Sequence, residues 1–488
     1  MIPSISTAPA APEPQFVPTV DQKRALDELG AFINDPHAQV FILKGYAGTG
    51  KTTLVRQIIK KMRDEDLIYT LLASTGRAAK ILANATGEEV KTVHSEIYNF
   101  KGMNKDMDEF VDEDDIPIID GNGQLYLNFQ LTSADYCEGS HYYIIDEASM
   151  LSDVEDEGVL QAKFGTGKLL TDLFQFDRDG KFIFVGDFCQ LPPVNQDVSP
   201  ALDKDYLVEN FSKRVYEAEL LQIVRQEKGN DLVRSASRVR DLYFHPQTHT
   251  KWAKFPIKGY RNIQLFENES SLINRYVDCV KRKGFNAATL VCFSNKQCNS
   301  LTRLLRPVFG HHSLELEKGD LLLVTQNNLL SGLMNGDLVT VEEVSSAFTS
   351  NNTITFVPVT VRELFTGSRH TQLLIADVLN SGFTNLDVRR QKYLYVDFFI
   401  RMKKENIKQG TDKFDQRMRE DPYLNALRAV YGYALTCHKA QGGEWEEVFL
   451  NVPRYFSSMD KPYVYQWMYT AMTRAKNQLY TRDDFWVI

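Results

Sequence analysis

No apolar run in the 488 residues approaches the length of a membrane span, and the longest helical patterns are amphipathic. A membrane partner is therefore not expected. The first fifteen residues are rich in proline and alanine and lack the charged-then-apolar order of a secretion signal, so 1–15 is expected to be a disordered tail. Cysteine is scarce. The six that occur (Cys137, Cys189, Cys279, Cys292, Cys298 and Cys437) include only one close pair, Cys292 and Cys298, with no second pair or histidine pair beside it. That excludes the common zinc spacings and fits reduced thiols in a cytosol. An excess of positive charge is also missing. The net charge of −8 argues against a protein that coats nucleic acid by bulk charge. No internal repeat of 20–50 residues is present.

What is present is ordinary globular composition, 43% hydrophobic and 25% charged, in a chain long enough for two to four domains. The charge is unevenly placed. Residues 98–140 hold two lysines against ten acids, which equals the whole net charge. The remainder is balanced, so a locally basic groove can exist elsewhere.

Strand-like and helical patterns alternate from about 38 to 97. Val40–Leu43 precedes a glycine loop and a helix near 51–63. Ile68–Leu72 precedes a second helix near 76–83. This rhythm predicts a parallel sheet covered on both faces, resumed at Tyr142–Ile145 and Phe182–Val185. Within the acidic segment, Gly121-Asn122-Gly123 predicts a hairpin between Ile116–Ile119 and Leu125–Leu131. A second α/β unit begins at Thr289–Phe293, continues in a helix near 296–306, and is completed by Val448–Leu450 and a helix near 462–475. Between its halves, short strands at 321–324, 338–341, 353–361 and 371–375 predict an inserted β-barrel, followed by a charged helical stretch near 398–420.

Gly45-Tyr46-Ala47-Gly48-Thr49-Gly50-Lys51-Thr52-Thr53 follows a strand and opens a helix, the context a phosphate loop requires. Glycines 45, 48 and 50 let backbone N–H groups turn toward phosphates, Lys51 reaches the β- and γ-phosphates, and the Thr52 hydroxyl ligates Mg²⁺, with Thr53 beside it. Asp146 and Glu147 end a strand. The first is expected to hold Mg²⁺ through water, and the second to orient and deprotonate an attacking water. In Gly186-Asp187-Phe188-Cys189-Gln190-Leu191-Pro192-Pro193-Val194 an acid and an amide stand at another strand end, where open α/β sheets bind ligands. Gln190 is the expected γ-phosphate sensor, Asp187 a supporting hydrogen-bond partner, and the proline pair a stiff link outward. Arg225 and Arg474 are candidate arginine fingers, a contribution worth about 10³–10⁵ in rate. Gln22 can read an adenine edge and Phe16 can stack on it. Thr436-Cys437-His438-Lys439 supplies hydroxyl and cationic groups suited to phosphate-backbone contacts, and Ser74, Thr75, Thr92 and His94 offer similar chemistry. For His94 and His438 taken singly, a structural role and a ligand contact both stay open.

Taken in order, these segments resemble the motif series of superfamily 1 helicases. Gln22 looks like the Q motif, 45–53 Walker A, 73–80 the motif after it, 92–95 a short DNA-contacting motif, 144–149 Walker B and 186–194 motif III. Arg225 falls in motif IV, 434–443 in motif V and 469–476 in motif VI. Ala-Ser-Thr-Gly-Arg-Ala-Ala at 73–79, Gln-Leu-Pro-Pro-Val at 190–194 and His-Lys-Ala-Gln-Gly at 438–442 are similar to the RecD/Pif/Dda branch, although Ser74 stands where that branch has proline.

The resemblance implies an α/β fold of two RecA-like parallel-sheet domains, with a wedge inserted in the first and a small β-barrel in the second. The first domain is expected at 16–97 and 141–200, the acidic wedge at 98–140, the second domain at 201–309 and 426–488, and the barrel at 310–425. It further implies ATP and Mg²⁺ as cofactors and Gly442 near the nucleotide. A single strand would be gripped by Ser74, Thr75, Thr92, His94, Thr436, His438 and Lys439. The activity implied is 5′→3′ translocation on single-stranded DNA and unwinding at single-strand/duplex junctions, by a monomer or weak associate in the cytoplasm of a bacterial or phage-infected cell. No nuclease or relaxase domain is expected after Arg474. The acidic part of the wedge, 105–115, is expected to be a solvated loop with 116–131 as the hairpin. Binding of a basic protein partner and mimicry of DNA are its alternatives. Two other functions compete: an RNA helicase, and a nucleotide-switched DNA-end clamp that does not unwind.

Overall fold

The computed structural model describes residues 16–112, 116–119, 124–134, 140–155, 162–224, 231–247, 250–350 and 353–488. The expected tail, Arg225, the Gly121–Gly123 turn and six of the ten acids of the wedge, Asp120 among them, lie outside these residues.

Six parallel strands make the first sheet, in the order Lys91–Thr92, Tyr69–Ala73, Tyr142–Asp146, Lys181–Gly186, Val40–Gly45, Val215–Leu220. The central strands are apolar on both faces, as a sheet covered by helices on each side demands. The outermost strand, Val215–Leu220, falls in the span expected for the second domain. It nevertheless pairs along its whole length with Val40–Gly45, so the chain stays in the first sheet to residue 220. A second sheet is also wholly parallel: Ile263–Phe266, Ala475–Arg482, Trp445–Asn451, Ala288–Cys292, Leu435–Thr436.

Between Ala288–Cys292 and Leu435–Thr436 the chain builds an antiparallel barrel. Strands Leu321–Val324, Leu338–Val344, Ile354–Glu363 and Arg369–Ile375 pair as neighbours, and Ala429–Tyr431 pairs with the first of them. The ring closes through Leu427, whose N–H donates to Leu373 O at 2.7 Å and whose carbonyl accepts from Ile375 N–H at 3.1 Å. The barrel thus ends at 431, a little beyond the expected 425. Two helices, Val388–Lys404 and Asp412–Glu420, stand where a single charged stretch was expected.

The wedge differs from its sequence reading in two ways. Leu127–Leu131 does not pair with Ile116–Ile119. It pairs antiparallel with Tyr98–Met103 and parallel with Ala162–Phe164. Stacking decides this: Phe129 lies 4.5 Å from Phe164 and 5.6 Å from Phe100 between ring centroids, whereas Ile116 is 57% exposed. Nor is 105–112 a solvated loop. A single turn, Met107–Phe110, turns two buried apolar side chains inward with Asp108 and Glu109 on the other side. Met107 and Phe110 join Leu394, Phe398, Phe414 and Met418 of the two barrel helices in one core. Met107 N–H donates to Gln409 Oε1 (2.8 Å), Gln409 Nε2 to Lys105 O (2.9 Å), and Lys392 Nζ to Ile119 O (2.6 Å). The wedge is therefore clipped to the barrel insertion. Among the described residues no helix is long and apolar enough to cross a membrane.

Candidate nucleotide and strand-binding site

The strand Val40–Gly45 delivers the phosphate loop to the carboxyl edge of the first sheet. Gly45 has no room for a Cβ, which would stand 2.8 Å from Lys51 Cγ and 2.9 Å from Thr49 Oγ1. Gly48 (φ 79°) and Gly50 (φ 84°) take the left-handed conformation that glycine favours. Helix Lys51–Asp64 starts without a side-chain cap, which leaves its first-turn N–H groups for an anion, and Thr52 and Thr53 are exposed there. Lys51 Nζ folds back onto the carbonyls of Gly45 (2.7 Å) and Tyr46 (3.3 Å). Gln22 braces the loop: its Nε2 donates to Thr49 O at 3.3 Å and its Oε1 accepts from Thr19 N–H at 3.0 Å. Phe16 packs against the first-domain core.

Asp146 ends the strand two places from Val40–Gly45. Burial first, and the neighbouring Glu147 carboxylate second, push its carboxyl up to about 6, against an opposing pull from Lys51. Glu147 holds a left-handed backbone (φ 50°), a costly conformation for a non-glycine residue, and its N–H donates to Asp146 Oδ1 at 2.9 Å. An oxygen donor set of Thr52 hydroxyl and a buried carboxyl with a raised pKa suits a hard divalent cation, which would relieve the cost of ionising Asp146.

The intervening strand Lys181–Gly186 carries the Asp187–Gln190 turn to the same edge. Gln190 is 3% exposed, and its Oε1 has no hydrogen-bond partner. Buried polar atoms of this kind call for an explanation, and an absent ligand or water supplies one. The turn is held from the second domain: Leu191 N–H donates to Thr470 Oγ1 (2.9 Å), Gln441 Nε2 to Leu191 O (3.0 Å) and Gln466 Nε2 to Gln190 O (3.5 Å). Arg474 is 4% exposed. Its Nε donates to Thr470 O (3.0 Å), Nη1 to Gly443 O (3.4 Å) and Nη2 to Thr473 Oγ1 (3.1 Å), so here the guanidinium faces its own domain.

Of the strand-gripping candidates, Thr75, Thr92 and Thr436 share one role. Each hydroxyl caps the N-terminus of a helix that follows a strand, accepting from Ala78, Ser95 and Lys439 N–H respectively. Gly442 (φ 73°) faces across the domain boundary, its Cβ direction 3.7 Å from Thr75 Oγ1. Ser74 donates its N–H to Asp146 O at 3.3 Å, and its buried hydroxyl has no partner. His94 packs on Phe164 (5.3 Å) and Tyr98 (5.8 Å), and burial lowers its pKa to about 4. Burial likewise lowers His438 and Lys439.

Sequence reasoning missed the contacts that the first domain makes with the barrel and, through Trp445, with the second sheet. Lys80 Nζ sits 2.6 Å from Asp337 Oδ2 and 3.0 Å from Glu363 Oε1, Arg77 lies 4.5 Å over the Trp445 ring, and Met334 fills the space beside Gly76. Two cations at i, i+3 on an otherwise uncharged helix were the available signal.

Comparison with known proteins gives two family matches. One, described as an AAA domain, covers residues 19–241. The other, described as a UvrD-like helicase C-terminal domain, covers 431–481. An uncharacterized protein of Methanocaldococcus jannaschii is 26% identical, over 96% of this chain and 39% of its own length. The ATP-dependent RecD2 DNA helicase of Deinococcus radiodurans is 23% identical, over 94% of this chain and 48% of its own. This chain thus spans less than half the length of these two relatives. A Pif1 helicase from Bacteroides, solved in complex with ADP-AlF3 and ssDNA, shares 16% identity with a TM-score of 0.47, covering 96% of this chain and 93% of that one.

Proposed function

We propose, from the premise that this chain belongs to the Pif1/RecD-like helicases of superfamily 1, that it is an ATP-driven motor that moves 5′→3′ on single-stranded DNA and separates duplex at single-strand/duplex junctions. The observation that carries the reading is the Gln190–Leu191 turn. It belongs to the sheet that bears the phosphate loop, yet its backbone is held by Thr470, Gln441 and Gln466 of the other domain. A γ-phosphate felt at Gln190 is thereby felt by the second domain, which is what converts hydrolysis into movement.

Mg²⁺·ATP, when bound, supplies the reactive γ-phosphoryl group and the cation that screens it. Lys51 and the N–H groups of 48–53 would hold the phosphates, and Thr52 and, through water, Asp146 would hold the cation. Glu147 orients the attacking water and takes its proton. Arg474 leaves the Gly443 carbonyl and, with Arg225, meets the charge that develops on the phosphoryl group. Gln22 keeps the loop in register beside the adenine, and Gly442, expected near the nucleotide, instead meets the first domain at Thr75. The strand lies across the two domains, its phosphates at the helix ends capped by Thr75, Thr92 and Thr436, with Ser74, His94, His438 and Lys439 around them. The protein acts as a monomer or weak associate, and a basic protein partner can bind the acidic 105–115 segment.

Steady-state ATP hydrolysis with and without oligo(dT) tests the motor chemistry. Single-stranded DNA should raise turnover. Lys51→Ala should abolish it, and Glu147→Gln should bind ATP and DNA while turning over poorly. Near-normal turnover by Glu147→Gln would mean that the base is misassigned.

A further inference from the structure

One side chain of the second domain touches two parts of the nucleotide site at once. Tyr469 lies on the helix Lys461–Met472, is 2% exposed, and sends its hydroxyl across the domain boundary. That oxygen accepts the N–H of Ala47, within the phosphate loop, at 2.9 Å. The same hydroxyl donates to Asp187 Oδ2 at 2.6 Å, at the start of the turn that carries Gln190. Asp187 is fully buried, and its other oxygen accepts Cys189 N–H at 3.0 Å, which fixes the carboxylate. The directions are forced: an amide can only donate, so the phenol must use its one proton on the carboxylate. Burial beside Asp187 holds the phenol far above its usual pKa, so the proton stays. The next residue, Thr470, receives Leu191 N–H on its hydroxyl and Arg474 Nε on its carbonyl. Ala47, Asp187–Leu191 and Arg474 are therefore tied to a single helical turn.

We infer that Tyr469 is a positioning residue of the ATPase reaction. Its hydroxyl sets the spacing between the phosphate loop, the γ-phosphate-sensing turn and the Arg474 finger, and so couples the state of the loop to the position of the second domain. The inference rests on the proposed ATP-driven motor. A phenol suits the task because it is rigid and reaches with one atom that both accepts and donates. Phenylalanine would fill the same space and break both bonds.

The test is ATP titration of the full chain with saturating oligo(dT), for wild type, Tyr469→Phe, Asp187→Asn and the double variant, with thermal unfolding alongside. In Tyr469→Phe, kcat should fall about 10- to 100-fold, as small displacements of reacting groups do, with KM within about threefold. Stimulation by DNA should be lost, and the double variant should be no worse than the poorer single one, because both break one relay. A folded Tyr469→Phe with wild-type kcat, or losses that multiply in the double variant, would overturn the inference; a purely structural tyrosine would lower only the unfolding temperature. Should Tyr469→Phe not fold, Asp187→Asn decides alone, by a reduced or an unchanged kcat. A wild type that hydrolyses no ATP would instead overturn the motor reading, and with it this inference.

Discussion

Replacing Lys80 by methionine keeps most of its volume and removes only its charge. The ammonium bridges helix Gly76–Thr86 of the first domain to two barrel carboxylates, Asp337 and Glu363, whose side chains are 2% and 4% exposed. Asp337 also accepts Met334 N–H at 2.7 Å, and Glu363 accepts from Ser368, so neither carboxylate can turn outward to water freely. Removing one partner of a buried pair costs about 3–5 kcal/mol, chiefly for the charge left behind. Lys80 itself is 23% exposed, so screening lowers the expectation to about 2–4 kcal/mol at neutral pH. The sign with pH follows. Burial holds Asp337 above the usual carboxylate range even beside Lys80, so without that ammonium its folded pKa lies further above the unfolded one and its protonated form is favoured in the fold. The penalty is then full at neutral pH and fades as pH falls toward about 4, the unfolded carboxyl range. Asp337→Asn added to Lys80→Met should recover part of the loss. A chain of several domains need not unfold in one step, so the assay is hydrogen exchange at the amides of Gly76–Thr86 and Leu338–Val344, with denaturant unfolding as a second readout. A Lys80→Met change below about 0.5 kcal/mol at pH 7, or a larger one untouched by Asp337→Asn, refutes the reasoning, because surface pairs behave that way.

Three other changes have definite expected outcomes. Gly50→Ala places a Cβ 2.7 Å from Gln22 Nε2 at a φ of 84°, and about 1–3 kcal/mol of strain should appear as weaker nucleotide affinity in calorimetry; unchanged affinity would show that the loop relaxes freely. His94 is held neutral in the fold, its pKa lowered to about 4, so its contribution is lost as pH falls from about 6.5 toward 4. The ring is only partly exposed, and about 1–3 kcal/mol is expected. His94→Leu should flatten that part of the stability–pH curve, and an unchanged slope would contradict the assignment. Phe110→Ala removes a fully buried ring from the clip between wedge and barrel, at a cost of about 3–5 kcal/mol to that contact. Proteolysis should then cut near 105–112 first, and a wild-type cleavage pattern would count against the clip.

The phosphate loop, the Asp146–Glu147 strand end and the Gln190 turn were legible because each is a local signal, a glycine pattern or a polar pair at the end of an apolar run. Val215–Leu220 was not, since two glutamates in six residues look unlike a sheet strand and only Val40–Gly45, far away in sequence, reveals it as an edge. Gly121-Asn122-Gly123 lies outside the described residues, and the partner of Leu127–Leu131 is chosen by Phe100 and Phe164 across long separations. Among so many acids, the i, i+3 spacing of Met107 and Phe110 carried the information, and net charge concealed it. Arg474 was expected at the transferring phosphoryl group, and its partners Thr470, Thr473 and Gly443 follow from packing inside its own domain, which the sequence does not display. Tyr469 received no role of its own within the 469–476 segment, because only the structure brings Ala47 and Asp187 to its hydroxyl.

The central claim is that phosphate-loop chemistry drives directional strand separation. Its most direct test is ATP-dependent unwinding of one duplex bearing either a 5′ or a 3′ single-stranded tail, in DNA and in RNA, beside Lys51→Ala. The account predicts separation of the 5′-tailed DNA and none with the variant. Activity confined to 3′ tails would falsify the polarity, activity on RNA alone would replace the substrate, and DNA-stimulated hydrolysis with no strand separation would make the protein a clamp.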